Sequence, residues 1–152
     1  MPRPQPRLLP PEDAPEFARA VLAAAHFPML ATVDGDRPRL RPMCPVMTEG
    51  FTVYLSNLRR HRKTVEIERN PCVELCYMDE EHNQVRISGR AEVVTDRAVL
   101  QRIWDGNALF RDCSGRLDNP ELMIYRLRPE RVRVMQNWAL EYIDVPVPSR
   151  EG

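Results

Sequence analysis

The sequence predicts a mainly β protein: a closed antiparallel barrel of six or seven strands with a few short helices at its periphery. Three observations carry this. Runs rich in Val, Ile, Thr, Tyr and Phe recur with turn residues at short intervals. The helical stretches between them are brief, which argues against βαβ units. No Gly-x-Gly-x-x-Gly or Gly-x-x-x-x-Gly-Lys occurs, so Rossmann-type dinucleotide and P-loop readings have no support.

The elements follow in order. Residues 1–11 hold five prolines and predict an extended arm. Glu12 and Asp13 suit a helix N-terminus, and Phe17, Ala20, Val21 and Ala24 recur at helical spacing until Pro28 closes the segment. Met29–Val33 predicts a buried strand, Asp34-Gly35-Asp36 a hairpin turn, and residues 38–46 the return strand. Pro38, Pro42 and Pro45 place that return strand at an edge or on bulges. A third strand spans 51–56, and a short helix spans 63–69 and ends at Asn70-Pro71. Strands over 72–78 and 84–94 pair through the turn at 79–83, with Gly89 marking a bulge or a close backbone approach. A second helix covers 96–104, residues 105–120 form a loop, and strands at 122–127 and 132–135 turn about Pro129-Glu130. Residues 12–140 thus form one domain, followed by a tail over 141–152, and nothing repeats.

Composition narrows the function. The chain has 152 residues, with 22 basic and 22 acidic side chains. A chain of this size buries roughly 70% of its unfolded surface, enough for one core without staples. The balanced charge gives no expectation of nucleic-acid or anionic-membrane binding. No apolar run approaches a membrane span, and no apolar stretch follows the basic N-terminus as a secretory signal requires. Cys44, Cys72, Cys76 and Cys113 form no Cys-x-x-Cys pair. They are expected to be buried free thiols, which predicts a reducing, cytoplasmic compartment and no metal site.

The segment with chemistry is 38–71. Arg59, Arg60, His61, Arg62 and Lys63 place up to five positive charges just ahead of a helix. A helix N-terminus offers unpaired N–H groups and a positive dipole end, so cations added there make an anion site, with phosphate the usual anion. Arg39 and Arg41 share one strand face and are placed to converge on the same anion. On charge alone, a solvated basic face explains the cluster equally well.

Four ordered stretches tip that balance. Gly35 and Pro38 precede Arg41-Pro42-Met43. Leu55-Ser56-Asn57 leads to Arg62-Lys63, Ile67 and Asn70-Pro71-x-Val73. Val85, Ile87, Gly89, Ala91 and Val93-Val94 alternate along one strand. Asp118-Asn119-Pro120-x-Leu122 precedes Arg126-Leu127-x-Pro129-Glu130-x-Val132. Together these resemble the FMN-binding split β-barrel family of pyridoxamine 5'-phosphate oxidase-like proteins, in its general-stress-protein-like branch. The resemblance runs from residue 28 to about 136.

The resemblance implies a split barrel and an FMN cofactor. Lys63, Arg62 and His61 would hold the flavin phosphate, with Ser56 and Asn57 donating to the phosphate or ribityl chain and Thr64 joining at the helix start. Arg41, Pro42 and Met43 would line the isoalloxazine ring. It also implies a homodimer with the flavin at the interface, where Gln84, Arg86 and Trp138 are the candidates for the partner's contribution. Where the family has Ser-x-Lys, this chain has His61-Arg62-Lys63, and it lacks a matching C-terminal substrate segment, so vitamin B6 oxidation is not expected. The expected activity is a flavin-dependent oxidoreductase of a small molecule, with no essential protein acid or base and the catalytic residues left open. The alternatives are a non-catalytic flavin- or haem-binding sensor or storage protein and a deazaflavin-dependent reductase. Trp104, Phe110 and Tyr125 read as core or dimer packing.

Overall fold

A computed structural model describes residue 5 and residues 8–147. Most of the expected N-terminal arm (residues 1–4, 6 and 7) and residues 148–152 of the expected tail lie outside the described residues. A 3-10 turn at Pro11–Asp13 leads into α1 (Ala14–Ala24). Its buried face is Ala14, Ala18 and Val21. Ala20 and Ala24, expected in that stripe, are exposed, because small side chains give a weak periodic signal and the larger Val21 sets the face.

The strands are β1 (Met29–Asp34), β2 (Arg37–Pro42), β3 (Pro45–Glu49), β4 (Thr52–Leu58), β5 (Cys72–Met78), β6 (Gln84–Val93), β7 (Leu122–Met135) and β8 (Ile143–Val145). They form one eight-stranded sheet in the order β2-β1-β5-β6-β7-β4-β3, with β8 paired to β7. Every ladder is antiparallel. The architecture is mainly β and consistent with a split barrel. The closed barrel expected from the strand spacing is corrected: among the described residues no ladder joins β2 to β3.

The expected return strand over 38–46 is two strands. The chain leaves the first ladder at Met43 and Cys44 and enters the second at Pro45. Both are end strands of the path, where a missing proline N–H costs no ladder bond, so the prolines indicated their position correctly. Conversely, the strands expected at 122–127 and 132–135 are one. Pro129 faces Gly89 where the β6–β7 register shifts, and the bulge removes the need for its N–H. A Cβ on Gly89 would stand 2.1 Å from the Arg128 carbonyl oxygen. Glycine is needed there for space.

Within the sheet, Val53, Leu55, Leu75, Val85, Ile87, Leu127, Val132 and Val134 form the main core, which α1 closes. A smaller core of Tyr54, Val94, Ile103, Phe110 and Ile124 lies under α3 (Arg97–Gly106) and α4 (Ala108–Ser114). Asp96 caps α3 by accepting from the Ala98 and Val99 N–H groups. Trp104 and Phe110 meet edge to face at 5.9 Å, as their packing role anticipated. Helix α4 replaces the loop expected there, and β8 makes part of the expected tail a sheet member.

Candidate functional site

The groove beside β4 is built by three segments. Strand β4 carries Ser56 and Asn57 just before its last residue, Leu58, and its pairing with β7 fixes them opposite Ile124 and Met123. The chain then turns through Arg59–His61 into α2 (Arg62–Arg69), where the Thr64 N–H donates to the His61 carbonyl. The third wall is α4, whose N-cap Asn107 accepts from the Phe110 N–H and donates its side chain to the Val46 carbonyl of β3 at 3.1 Å.

Two adjoining cavities make up the groove. The polar one, about 230 Å³, is lined by Ser56, Asn57, His61, Lys63, Ser114 and Asn119 among others. The second, about 140 Å³, adds Cys44, Pro45, Val46, Leu109 and Phe110. Ser56, Cys113 and Ser114 belong to both. One end therefore offers cations and donors, and the other a mostly apolar trough.

Hydrogen bonds order the polar end. Buried Asn57 donates to Thr64 Oγ1 at 2.7 Å and its Oδ1 faces His61 Nδ1 at 3.1 Å. Thr64 lies buried behind this pair and is within 3.3 Å of the Leu58 carbonyl. Lys63 is half-buried. That burial, and then the charge of Arg41, hold its ammonium below the usual range against the pull of Glu66. The charge of an anion in the groove acts against both effects.

Three arginines of the wider basic cluster, Arg39, Arg41 and Arg62, are paired with carboxylates. Arg41 donates to Glu66 at 2.6 Å and to Thr32 at 2.5 Å, and Thr32 also donates to Glu66. Arg39 and Arg62 both bond Asp34, at 3.1 and 2.9 Å. These bonds hold the Asp34 carboxyl below its usual range, Arg62 contributing first. The expected convergence of Arg39 and Arg41 on one anion is thus corrected. Both face that way, but carboxylates from β1 and α2 take their guanidinium groups.

The structure brings Ser56, Asn57, His61 and Lys63 together, with Thr64 behind them. It does not bring the other candidates to this groove. Arg62 points to Asp34, Pro42 is exposed, and Met43 packs in the core with its N–H on the Pro28 carbonyl. Gln84 and Arg86 lie on the outer face of β6. There Tyr142 donates to Gln84 at 2.6 Å, Arg86 pairs with Glu74, and the Arg86 and Arg133 guanidinium groups lie 5.5 and 5.4 Å from the Tyr142 ring centroid. Trp138 is exposed at φ +66° after β7. Sequence reasoning missed Asn107, Leu109, Cys113 and Ser114, whose helix it read as loop; Asn107 was the available capping signal.

Cys44, Cys72 and Cys113 are exposed and Cys76 is half-buried, all as free thiols. The expectation of buried thiols is corrected: Cys72 and Cys76 fall on the outward face of β5, Cys113 on a flank of α4 and Cys44 in the link between β2 and β3. Among the described residues, no three His, Cys, Asp or Glu side chains gather as a metal site, and no helix is long and apolar enough to cross a membrane.

The family model described as PNPOx_N, pyridoxamine 5'-phosphate oxidase, matches residues 14–136. A Listeria innocua chain described provisionally as a pyridoxamine 5'-phosphate oxidase is 27% identical, with a TM-score of 0.68 over 79% of this chain and 96% of that one. A Clostridium acetobutylicum protein related to general stress protein 26 gives a TM-score of 0.76 at 15% identity, over 91% and 97%. A heme-binding protein from Mycobacterium smegmatis gives 0.73 at 17% identity, over 91% of this chain and 59% of that one. The last two likenesses concern the fold. No curated protein matches the sequence.

Proposed function

The chain belongs to the pyridoxamine 5'-phosphate oxidase family, and on that premise we propose that it binds FMN in the groove of β4, α2 and α4 and acts as a flavin-dependent oxidoreductase on a small molecule. One observation carries the reading. Ser56, Asn57, His61 and Lys63 line one end of a groove whose continuation is walled by Pro45, Val46, Leu109 and Phe110. That donor set suits a ligand with an anionic end and a flat apolar body. When bound, the flavin supplies hydride or electron transfer. The chain's own residues bind and orient: Lys63 and His61 meet the phosphate, Asn57 fixes His61, and α4 keeps water from one side.

The working unit is a homodimer. Leu109 is 67% exposed at the trough and leaves its apolar wall unfinished. Leu40 and Met78, 63% and 56% exposed, lie on the outer face shared by β1, β2, β5 and β6, through the pairs Leu40–Ala31 and Met78–Gln84. A second copy packed on this face brings Gln84, Arg86 and Trp138 to the neighbouring groove. The four free thiols suit a cytoplasmic location.

Absorbance of the purified protein, before and after adding FMN, tests the reading. Flavin bands that persist through gel filtration at a dimer's mass support it. No bound flavin after reconstitution refutes it. A Soret band would favour haem, the second reading. It is motivated by the name of the M. smegmatis neighbour and by His61 being in the groove.

A further inference from the structure

The hydrogen-bond chain behind the groove determines which His61 nitrogen carries a proton. Thr64 Oγ1 has one proton, and the Leu58 carbonyl at 3.3 Å takes it. The same oxygen then accepts from the Asn57 amide nitrogen at 2.7 Å. That turns Asn57 Oδ1, which can only accept, toward His61 Nδ1 at 3.1 Å. Nδ1 therefore bears the proton, and the neutral ring keeps its lone pair on Nε2. An isolated imidazole prefers the opposite arrangement. Lys63 Nζ, 3.5 Å from Nδ1, has three donors and no acceptor, so it finds no partner in that protonated nitrogen. Lys63 and His61 both line the polar cavity.

A neutral ring in this state presents a lone pair where an anion would sit, and only the imidazolium can donate from Nε2. We propose that His61 is a proton-coupled anion-binding residue: the groove takes a phosphate monoester together with a proton on His61, and Asn57 is the positioning residue that imposes this coupling. The inference rests on the phosphate reading of this groove and adds a proton to it. Around the ring the charged and titratable groups are Arg59 and Arg60 before it, Lys63 on α2, Cys113 on α4 and Tyr125 on β7 behind Thr64. Above about pH 7 a phosphate monoester is already fully charged, so its own protonation adds no pH dependence there.

Calorimetry of FMN binding in two buffers of different ionisation enthalpy tests the coupling. About one proton is taken up per site near pH 8, and the affinity falls about tenfold per pH unit above neutrality. Both effects vanish in His61→Gln, an exposed position where the substitution leaves the fold intact. Riboflavin, lacking the phosphate, shows neither. Nitrogen NMR of the free protein adds an independent readout: His61 carries its proton on Nδ1, and inorganic phosphate moves the ring toward imidazolium. A proton on Nε2, or pH dependence that survives His61→Gln, overturns the inference. If FMN fails to bind at every pH, the flavin reading falls, and the phosphate titration decides the coupling by itself.

Discussion

Arg41→Met removes the closer of two cations on a buried carboxylate, Arg62 Nε remaining 3.9 Å from the other oxygen of Glu66. Glu66 has a side chain only 4% exposed and accepts from Arg41 at 2.6 Å and Thr32 at 2.5 Å. Stripping one member from a buried pair costs about 3–5 kcal/mol. The Arg41 side chain is 23% exposed, so water softens the loss and the low end, about 3 kcal/mol, is expected. In a chain of this length that lowers the melting temperature by roughly 6–12 °C. The pH dependence has a definite sign. Burial pushes the Glu66 carboxyl up, but the bonds from Thr32 and Arg41 and the charge of Arg41 outweigh it and hold it below its usual range. The native contribution is thus present above the unfolded value and disappears as pH falls through the folded one. In the variant, burial dominates, the carboxyl moves up, and protonation relieves it. Urea unfolding of the flavin-free protein, followed by far-ultraviolet circular dichroism near neutral pH and at about pH 4, measures both effects. The gap between variant and parent narrows at the lower pH, and adding Glu66→Met recovers most of the loss. A cost below about 1 kcal/mol near neutrality, or a gap unchanged at the lower pH, refutes the reasoning.

Gly89→Ala forces a Cβ against the Arg128 carbonyl and costs about 3 kcal/mol in urea unfolding. Gly106→Ala, at the end of α3 with open space around it, gains about 0.5–1 kcal/mol and serves as its control. Lys63→Ala weakens FMN binding by about 10- to 100-fold, the worth of one charge-assisted hydrogen bond, and leaves riboflavin binding unchanged by fluorescence titration. Met78→Glu places a charge on the proposed dimer face and yields a monomer in sedimentation, with flavin affinity lost in parallel.

Strands β1, β4, β5 and β6 were legible because their β-branched and aromatic runs alternate and end in turn residues. Helix α4 was not: Ala108–Ser114 sits between Gly106 and Gly115 among Asp and Asn residues, and its amphipathic face has a single strong anchor, Phe110. Strand β8 is three residues ahead of Pro146 and gains its order from β7. At the site, the order Ser56, Asn57, His61, Lys63 was readable because one strand-to-helix turn carries it. The fate of Arg39, Arg41 and Arg62 was not, because a local count of cations ignores the carboxylates that folding brings to them. Asp34 reaches Arg62 across 28 positions of sequence, and Glu66 reaches Arg41 across 25.

Strands β2 and β3 occupy opposite ends of the ladder path yet are joined through Met43 and Cys44 alone. The sheet's curl at this seam is therefore imposed by covalent connectivity. Drawing the two edges apart breaks no ladder bond, and the Met43 N–H on the Pro28 carbonyl tethers the seam on the β1 side only. Cys44, Pro45 and Val46, on the other side, form the mouth of the groove. The trough is thus mounted beside the one seam of the sheet that chain connectivity, and no ladder among the described residues, holds together, with the Asn107 side chain on the Val46 carbonyl bracing its far wall.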